Sequence, residues 1–399
     1  MISQECYELG SKSSVIREIF SYGLKRKAEV GEDKVYDFSL GNPSIPAPES
    51  VKQAILELLE LPPEKLHAYS PAPGDPKVRT AIAESLNRRF DETLRMDNIF
   101  MTCGAAASIN ICLKALLNPG EEAITFAPFF PEYRVWVEGL GAKLHVIPAQ
   151  LPDFQIDTEL FEQAVTPKTK LVIVNTPNNP SGVVYSEETI RKLCAILKKK
   201  EEEYGAPIYL ITDEPYREIV YDDIQVPYLT KYYNDTLVCY SYSKSLSLPG
   251  ERIGYIVIPD RIADYEHVAP AIAGAARVLG FVCAPSLFQQ VVAKCVDDTG
   301  DISAYKKNRD ILVDGLQRIG YTCVKPQGAF YLFMKALEED AYAFCERAKQ
   351  YDLLLVPSDD FGCPGYVRIS YCVAEKTIVD SMSAFEKLME DYRGEFTKN

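Results

Sequence analysis

LVIVNTPNNPSGVVYSEETIRKLCAILKKKEEEYGAPIYLITDEPY occupies residues 171–216. It opens on an apolar run, LVIVN (171–175), breaks at a Pro- and Asn-rich turn, and continues through a helical pattern over residues 186–204. It then closes on a second apolar run, IYLIT (208–212). The charged KKKEEE of residues 198–203 reads as the solvated face at the end of that helix. Working outward, AITF (123–126), KLHVI (143–147), LVCY (237–240) and YIVI (255–258) repeat the apolar texture, with helical segments at 108–117 and 260–279 among them. Alternating β and α units imply an α/β fold with a mostly parallel sheet covered by helices. Near-continuous apolar strands are those expected when both faces of a sheet are buried.

After about residue 285 the pattern changes. A helical stretch (286–319), AFYLFMK (329–335), a helix (340–351), YVRISY (366–371) and a final helix imply a second, smaller α+β domain. With 57 acidic against 43 basic side chains the net charge is −14, which makes nucleic acid and anionic membranes poor partners. The opening residues MISQECYELG lack a basic patch followed by an apolar core, so no secretory signal is expected there. The most apolar long stretch, 268–292, contains Pro270, Arg277 and Pro285, which argues against a membrane span. Eleven cysteines without a C-x-x-C pair imply reduced core thiols and a cytoplasmic protein. His67, His145 and His267 lie far apart in sequence, and no metal site is expected.

Ligands of parallel α/β sheets bind beyond the carboxyl ends of the strands. Lys244, in Ser241-Tyr-Ser-Lys244, follows the LVCY run. It is either a snorkelling surface lysine or an amine placed to form a Schiff base with a carbonyl group. Asp213 ends the IYLIT run and is either a turn or capping residue or a carboxylate awaiting a cation such as a protonated pyridine nitrogen. Residues 175–182 (NTPNNPSG) form a turn that is structural alone or offers an asparagine amide to a phenolate-type oxygen. Residues 102–107 (TCGAAA) lead into a helix of small residues, whose free N–H groups would suit a phosphate. Arg252 could balance a phosphate dianion. Arg368 lies within an apolar strand-like run and is either half of a buried salt bridge or a bidentate grip for a carboxylate.

Taken together, these clusters resemble the class I and II aminotransferases, the fold-type I pyridoxal-phosphate enzymes. The resemblance spans about residues 37–373. It rests, in order, on Gly41-Asn-Pro43, Tyr69 with Gly74, Thr102-x-Gly-Ala105, Pro128-x-Phe130-x-x-Tyr133, residues 175–182, Asp213-Glu-Pro-Tyr216, Ser241-x-Ser-Lys244, Arg252-x-Gly254, Pro326-x-Gly-Ala-Phe330 and Arg368. It implies a seven-stranded-type sheet in a large cofactor domain (46–284) and a small domain made of residues 1–45 and 285–399. Pyridoxal 5'-phosphate would be held covalently by Lys244, with Asp213 at the pyridine nitrogen and Asn179 and Tyr216 at the ring oxygen. Phe130 would stack on the ring, where relatives often carry Trp or Tyr. The phosphate would lie against Gly104, the amides of Ala105 and Ala106, Ser241, Ser243 and Arg252. Tyr69 would reach the neighbouring subunit's phosphate, implying a homodimer with shared sites. Arg368, helped by the backbone at Gly41 and by Asn179, would bind the substrate carboxylate.

The implied reaction moves an amino group between an L-amino acid and a 2-oxo acid with ping-pong kinetics. A carbon–sulfur β-lyase is the alternative on the same cofactor, and a non-catalytic pyridoxal-phosphate-binding regulator is a more distant one. One bacterial aspartate-specific subgroup carries a lysine just after the glycine of Thr-x-Gly. Ala105 stands there in this chain, so that route to aspartate recognition is missing and the donor amino acid is open.

Overall fold

The computed structural model describes residues 2–11 and 14–396. Met1, residues 12–13 and residues 397–399, which fall within the small-domain spans expected above, lie outside the described residues.

The strands in chain order are β1 (Tyr36–Asp37), β2 (Ile99–Thr102), β3 (Glu122–Phe126), β4 (Lys143–Ile147), β5 (Thr169–Asn175), β6 (Tyr209–Asp213), β7 (Thr236–Ser241), β8 (Gly254–Val257), β9 (Tyr331–Lys335), β10 (Leu353–Leu354), β11 (Val356–Pro357) and β12 (Tyr366–Ser370). Seven of them form one sheet in the order β2-β8-β7-β6-β5-β3-β4. Neighbours from β7 to β4 pair in parallel, whereas β8 runs antiparallel to both β7 and β2. The antiparallel strand has a local cause. Residues 242–253 hold only a one-turn helix, Tyr242–Ser245, and a short 3-10 turn, too little to carry the chain back for a parallel crossover.

Apolar side chains cover both faces of this sheet. Ile109, Cys112 and Leu113 pack with Ile211, Cys239 and Ile256 on one face, and Ile190 and Leu193 pack with Val172, Val174 and Leu210 on the other. The helix Glu187–Tyr204 that joins β5 to β6 starts on Ser186, whose hydroxyl accepts from the Thr189 amide, and ends on Gly205 in the left-handed region.

A second, antiparallel sheet has the order β11-β12-β9. Its Leu332, Met334, Val367 and Ile369 share a core with Phe385 and Leu388 of the C-terminal helix Glu375–Phe396. β1 pairs with β10, Tyr36 opposite Leu353, which ties the N-terminal segment to this part of the chain. The helix Ser286–Lys294 packs on the helices Glu49–Leu59 and Pro76–Phe90, while Ile302–Ile319 packs on the C-terminal helix.

Several expectations shift. The helical stretch 286–319 is two helices, interrupted around Gly300 and restarted by Asp301, whose carboxylate accepts from the Ser303 amide. The helix expected from 260 begins at Tyr265, and the one expected from 108 begins at Ala105. β2 is not among the expected strands, because its four residues, IFMT, are too short to stand out as an apolar run. All eleven cysteines are free thiols, and Cys6 is exposed rather than in a core. Among the described residues no helix is long and apolar enough to cross a membrane, and no cluster could hold a metal ion.

Candidate active site

The parallel register brings the carboxyl ends of β5, β6 and β7 side by side, Asn175 opposite Asp213 and Asp213 opposite Cys239. Asp213 is thus the last residue of a fully buried strand. Its Oδ2 accepts a 2.5 Å hydrogen bond from the Tyr133 hydroxyl, and the Asn175 amide donates to its main-chain oxygen at 2.9 Å. Oδ1 is buried and has no hydrogen-bond partner among the described residues. Loss of water around the carboxyl raises its pKa to about 7; the Tyr133 bond opposes the rise and the Glu214 charge adds to it.

Lys244 sits on the one-turn helix after β7. That helix is capped by Ser241, whose hydroxyl accepts from the Ser243 amide. The lysine amine donates to the Gly41 carbonyl at 2.8 Å and is held in a desolvated setting that lowers its pKa to about 8. The snorkelling alternative is therefore excluded: the amine points inward.

Both groups line a cavity of about 340 Å³, within the size range of small-ligand sites. Gly41, Ala105, Ala106, Phe130, Asn179, Tyr216 and Arg368 line it as well. Gly104 precedes the helix Ala105–Leu116 at φ +90°, and a Cβ there would lie 2.8 Å from an Arg252 guanidinium nitrogen. Arg252 reaches over this turn to donate to the Cys103 carbonyl at 3.2 Å. The Ser241 and Ser243 hydroxyls are 2.7 Å apart and buried. Gly104, Ser241, Ser243 and Arg252 do not line the cavity, although Gly104 and Ser243 adjoin its lining residues Ala105 and Lys244 in the chain. Tyr69 stands apart, 95% exposed.

Arg368, on β12, is 2% exposed. One of its terminal nitrogens donates to the Ser39 carbonyl at 2.6 Å and the other to Asn179 Oδ1 at 3.3 Å. Its Nε is buried without a partner among the described residues. Among the described residues no carboxylate pairs with this guanidinium, so the salt-bridge alternative finds no support. An arginine can only donate, so Asn179 turns its oxygen toward Arg368 and its NH₂ is left for another acceptor.

Sequence reasoning placed Tyr133 and Asn175 in motifs without a role, and here they hold Asp213. Tyr331 lies in the AFYLFMK run, where its sequence position gives it no role, although Phe330 beside it belongs to a motif. Trp136, the only tryptophan, also lines the cavity, as do Ser14, Ile16 and Arg17 near the start of the helix Val15–Val30. Nothing in the spacing of those N-terminal residues marks them as near Asp213 and Lys244.

A sheet of this order, with a desolvated lysine and a buried carboxylate at adjoining strand ends, defines a fold-type I pyridoxal-phosphate enzyme. The family Aminotransferase class I and II matches residues 33–384, and the chain belongs to it. A solved amino transferase from Eubacterium rectale is 56% identical with a TM-score of 0.96, over 98% of this chain and 99% of that one. The probable aspartate aminotransferase of Methanocaldococcus jannaschii is 30% identical, over 98% of this chain and 100% of its own length. The aspartate aminotransferase of Thermotoga maritima is 28% identical, over 98% and 99%. The protein is a pyridoxal-phosphate-dependent aminotransferase whose substrates are amino acids and 2-oxo acids. Neither carbon–sulfur elimination nor a non-catalytic regulatory role is favoured.

Proposed function

We propose that this aminotransferase binds its cofactor through Lys244 in the cavity just described and binds the substrate carboxylate through Arg368. The observation that carries the reading is a lysine amine and an unpartnered, buried Asp213 oxygen lining one cavity. An ionised carboxylate in that position lacks a cation, and a protonated pyridine nitrogen is a cation of the right kind.

The surrounding donors fit the rest of pyridoxal phosphate. The Asn179 amide and the Tyr216 hydroxyl would serve the ring oxygen, and Phe130 the ring face. The Ala105 and Ala106 amides at a helix start, with Ser241, Arg252 and more weakly Ser243, would serve the phosphate beside Gly104. When bound, pyridoxal phosphate supplies a carbonyl that captures amines and a protonated ring that accepts electrons from the substrate Cα–H bond.

The chain's own residues do the remainder. Asp213 keeps the proton on the pyridine nitrogen by charge pairing. Lys244, whose amine would be freed when a substrate amine takes its place on the cofactor, would serve as the base that moves a proton away from Cα. Arg368 and the backbone at Gly41 hold the carboxylate so that the Cα–H bond faces Lys244. Two half-reactions share the site, so the kinetics are ping-pong. Tyr69, almost fully exposed in one chain, would complete the phosphate site of a second copy in a homodimer. The domain division 46–284 and 1–45 with 285–399, with Ser286–Lys294 packed on the large domain, and a cytoplasmic location belong to the same proposal.

The test is the visible spectrum of the purified protein with added pyridoxal phosphate, followed by a panel of amino acids without any oxo acid. A long-wavelength band that particular amino acids convert to the aminated-cofactor spectrum is the expected result and names the donor class. No band at any cofactor concentration overturns the Lys244 assignment.

A further inference from the structure

Tyr331 is used by none of the roles above, yet it touches three residues that have them. It lies on β9 opposite Ser370 of β12, with Arg368 two residues away on the same strand. That is a diagonal pair on one face of an antiparallel ladder, within reach of an aromatic side chain. The Tyr331 ring accordingly lies 4.7 Å from the Arg368 guanidinium carbon, with Phe361 at 5.3 Å. A guanidinium over aromatic faces is attracted by their electron density and restrained in its tilt. A restrained tilt is what bidentate capture of a carboxylate needs.

The hydroxyl of the same side chain faces the other end of the cavity. It lies 3.0 Å from the Tyr216 hydroxyl. It also fills the space beside Gly41, where a Cβ would come within 1.9 Å of the Tyr331 oxygen. The Gly41 carbonyl is the acceptor for the Lys244 amine. Either phenol of the pair could be the donor. The nearby guanidinium favours donation from Tyr331, since a neighbouring cation makes a phenol a better donor. The Tyr216 proton is then left free to point into the cavity.

We propose that Tyr331 is a positioning residue that couples the two ends of the site. Its ring seats Arg368 for the substrate carboxylate, and its hydroxyl donates to Tyr216 so that the Tyr216 proton is directed at the cofactor's ring oxygen. The inference rests on the site reading above and adds a residue to it.

Two substitutions in the cofactor-loaded protein separate the two halves of this role. Tyr331→Phe keeps the ring and removes the hydroxyl. The pH midpoint of the visible band should rise by roughly half a unit to one unit, because weaker donation to the ring oxygen leaves more negative charge to hold the proton on the lysine nitrogen. Propionate, a plain carboxylate probe read by its perturbation of the same band, should bind within about twofold of wild type. Tyr331→Leu removes the ring, and propionate binding should weaken by roughly three- to thirty-fold; if that variant does not fold, Tyr331→Met takes its place. A midpoint unmoved by the phenylalanine, or an affinity unmoved by the aliphatic residue, overturns the proposal. Borohydride reduction of the wild type distinguishes the two levels. An adduct at Lys244 leaves the site reading standing while Tyr331 is judged, and an adduct elsewhere removes the reading itself.

Discussion

Asp213 and Lys244 carry the same physical signature with opposite signs, because each is an ionisable group taken out of water. The Asp213 pKa rises from 3.8 to about 7 in the folded protein, so between those values the folded state binds more protons than the unfolded one. Stability contributed by this group is therefore fully present below pH 4 and is lost as the pH rises through 7. Asp213→Asn should make the cofactor-free protein more stable than wild type at pH 8, by about 4 kcal/mol at most. The difference should shrink toward zero as the pH falls to 4. Denaturant melts across that range check both the sign and the window. Equal pH profiles would mean the carboxylate is already paired.

The Lys244 pKa falls from 10.5 to about 8, and only its neutral form is a nucleophile. Cofactor capture by the apo-protein should thus speed up with pH and level off above about 8. A surface lysine would still be gaining at pH 10. Stopped-flow absorbance separates these two profiles. At the substrate end, Arg368→Ala should weaken the amino acid's carboxylate contact by roughly 2–5 kcal/mol, measured as a loss in kcat/KM for the half-reaction. Unchanged values would point to another anchor.

At the scale of the element, the turn between β2 and the helix Ala105–Leu116 has the backbone shape that the proposed phosphate site calls for. Gly104 holds φ +90°, a conformation that side chains avoid, and its missing Cβ lets Arg252 lie against the turn. Gly104→Ala should strain the turn and push Arg252 away. The expected outcome is pyridoxal-phosphate affinity reduced by about tenfold or more, together with a lowered melting temperature in the absence of cofactor, because the folded chain carries the strain. Fluorescence of Trp136, the only tryptophan and itself a lining residue, gives the titration directly.

The apolar runs of β3 to β7 are legible because strands buried on both faces admit little but aliphatic residues. Asp213 and Lys244 were legible because each is a charge set at the end of such a run. The short strand β2 and the reversed direction of β8 were not, because direction depends on whether residues 242–253 can span the sheet, and no local pattern states that. Tyr331 was hidden for a related reason. In the sequence it is one more aromatic in an apolar strand, and only the register of β9 on β12 places it over Arg368. The Tyr133–Asp213 bond joins residues 80 positions apart and likewise has no local sign.

At the scale of the whole molecule, the exposure of Tyr69 is the feature a single chain does not explain. A tyrosine 95% exposed covers apolar surface with nothing, although its neighbour Ser70 is tied into the fold through Gln289 and Cys283. The proposed homodimer with shared sites accounts for this if Tyr69 of each chain serves the cavity of the other. Symmetry then dictates a test that no single-chain arrangement can imitate. Lys244→Ala and Tyr69→Ala chains, each impaired alone, are mixed under conditions that let subunits exchange. In a hybrid dimer one cavity carries both lesions. The other combines an intact Lys244 with an intact Tyr69 from its partner. Random exchange makes half of the dimers hybrid, so about a quarter of all sites should regain wild-type character. The half-reaction with an amino acid should recover in proportion, on the timescale of exchange. If Tyr69 instead acts within its own chain, each hybrid holds one site lacking Lys244 and one lacking Tyr69, and mixing restores nothing.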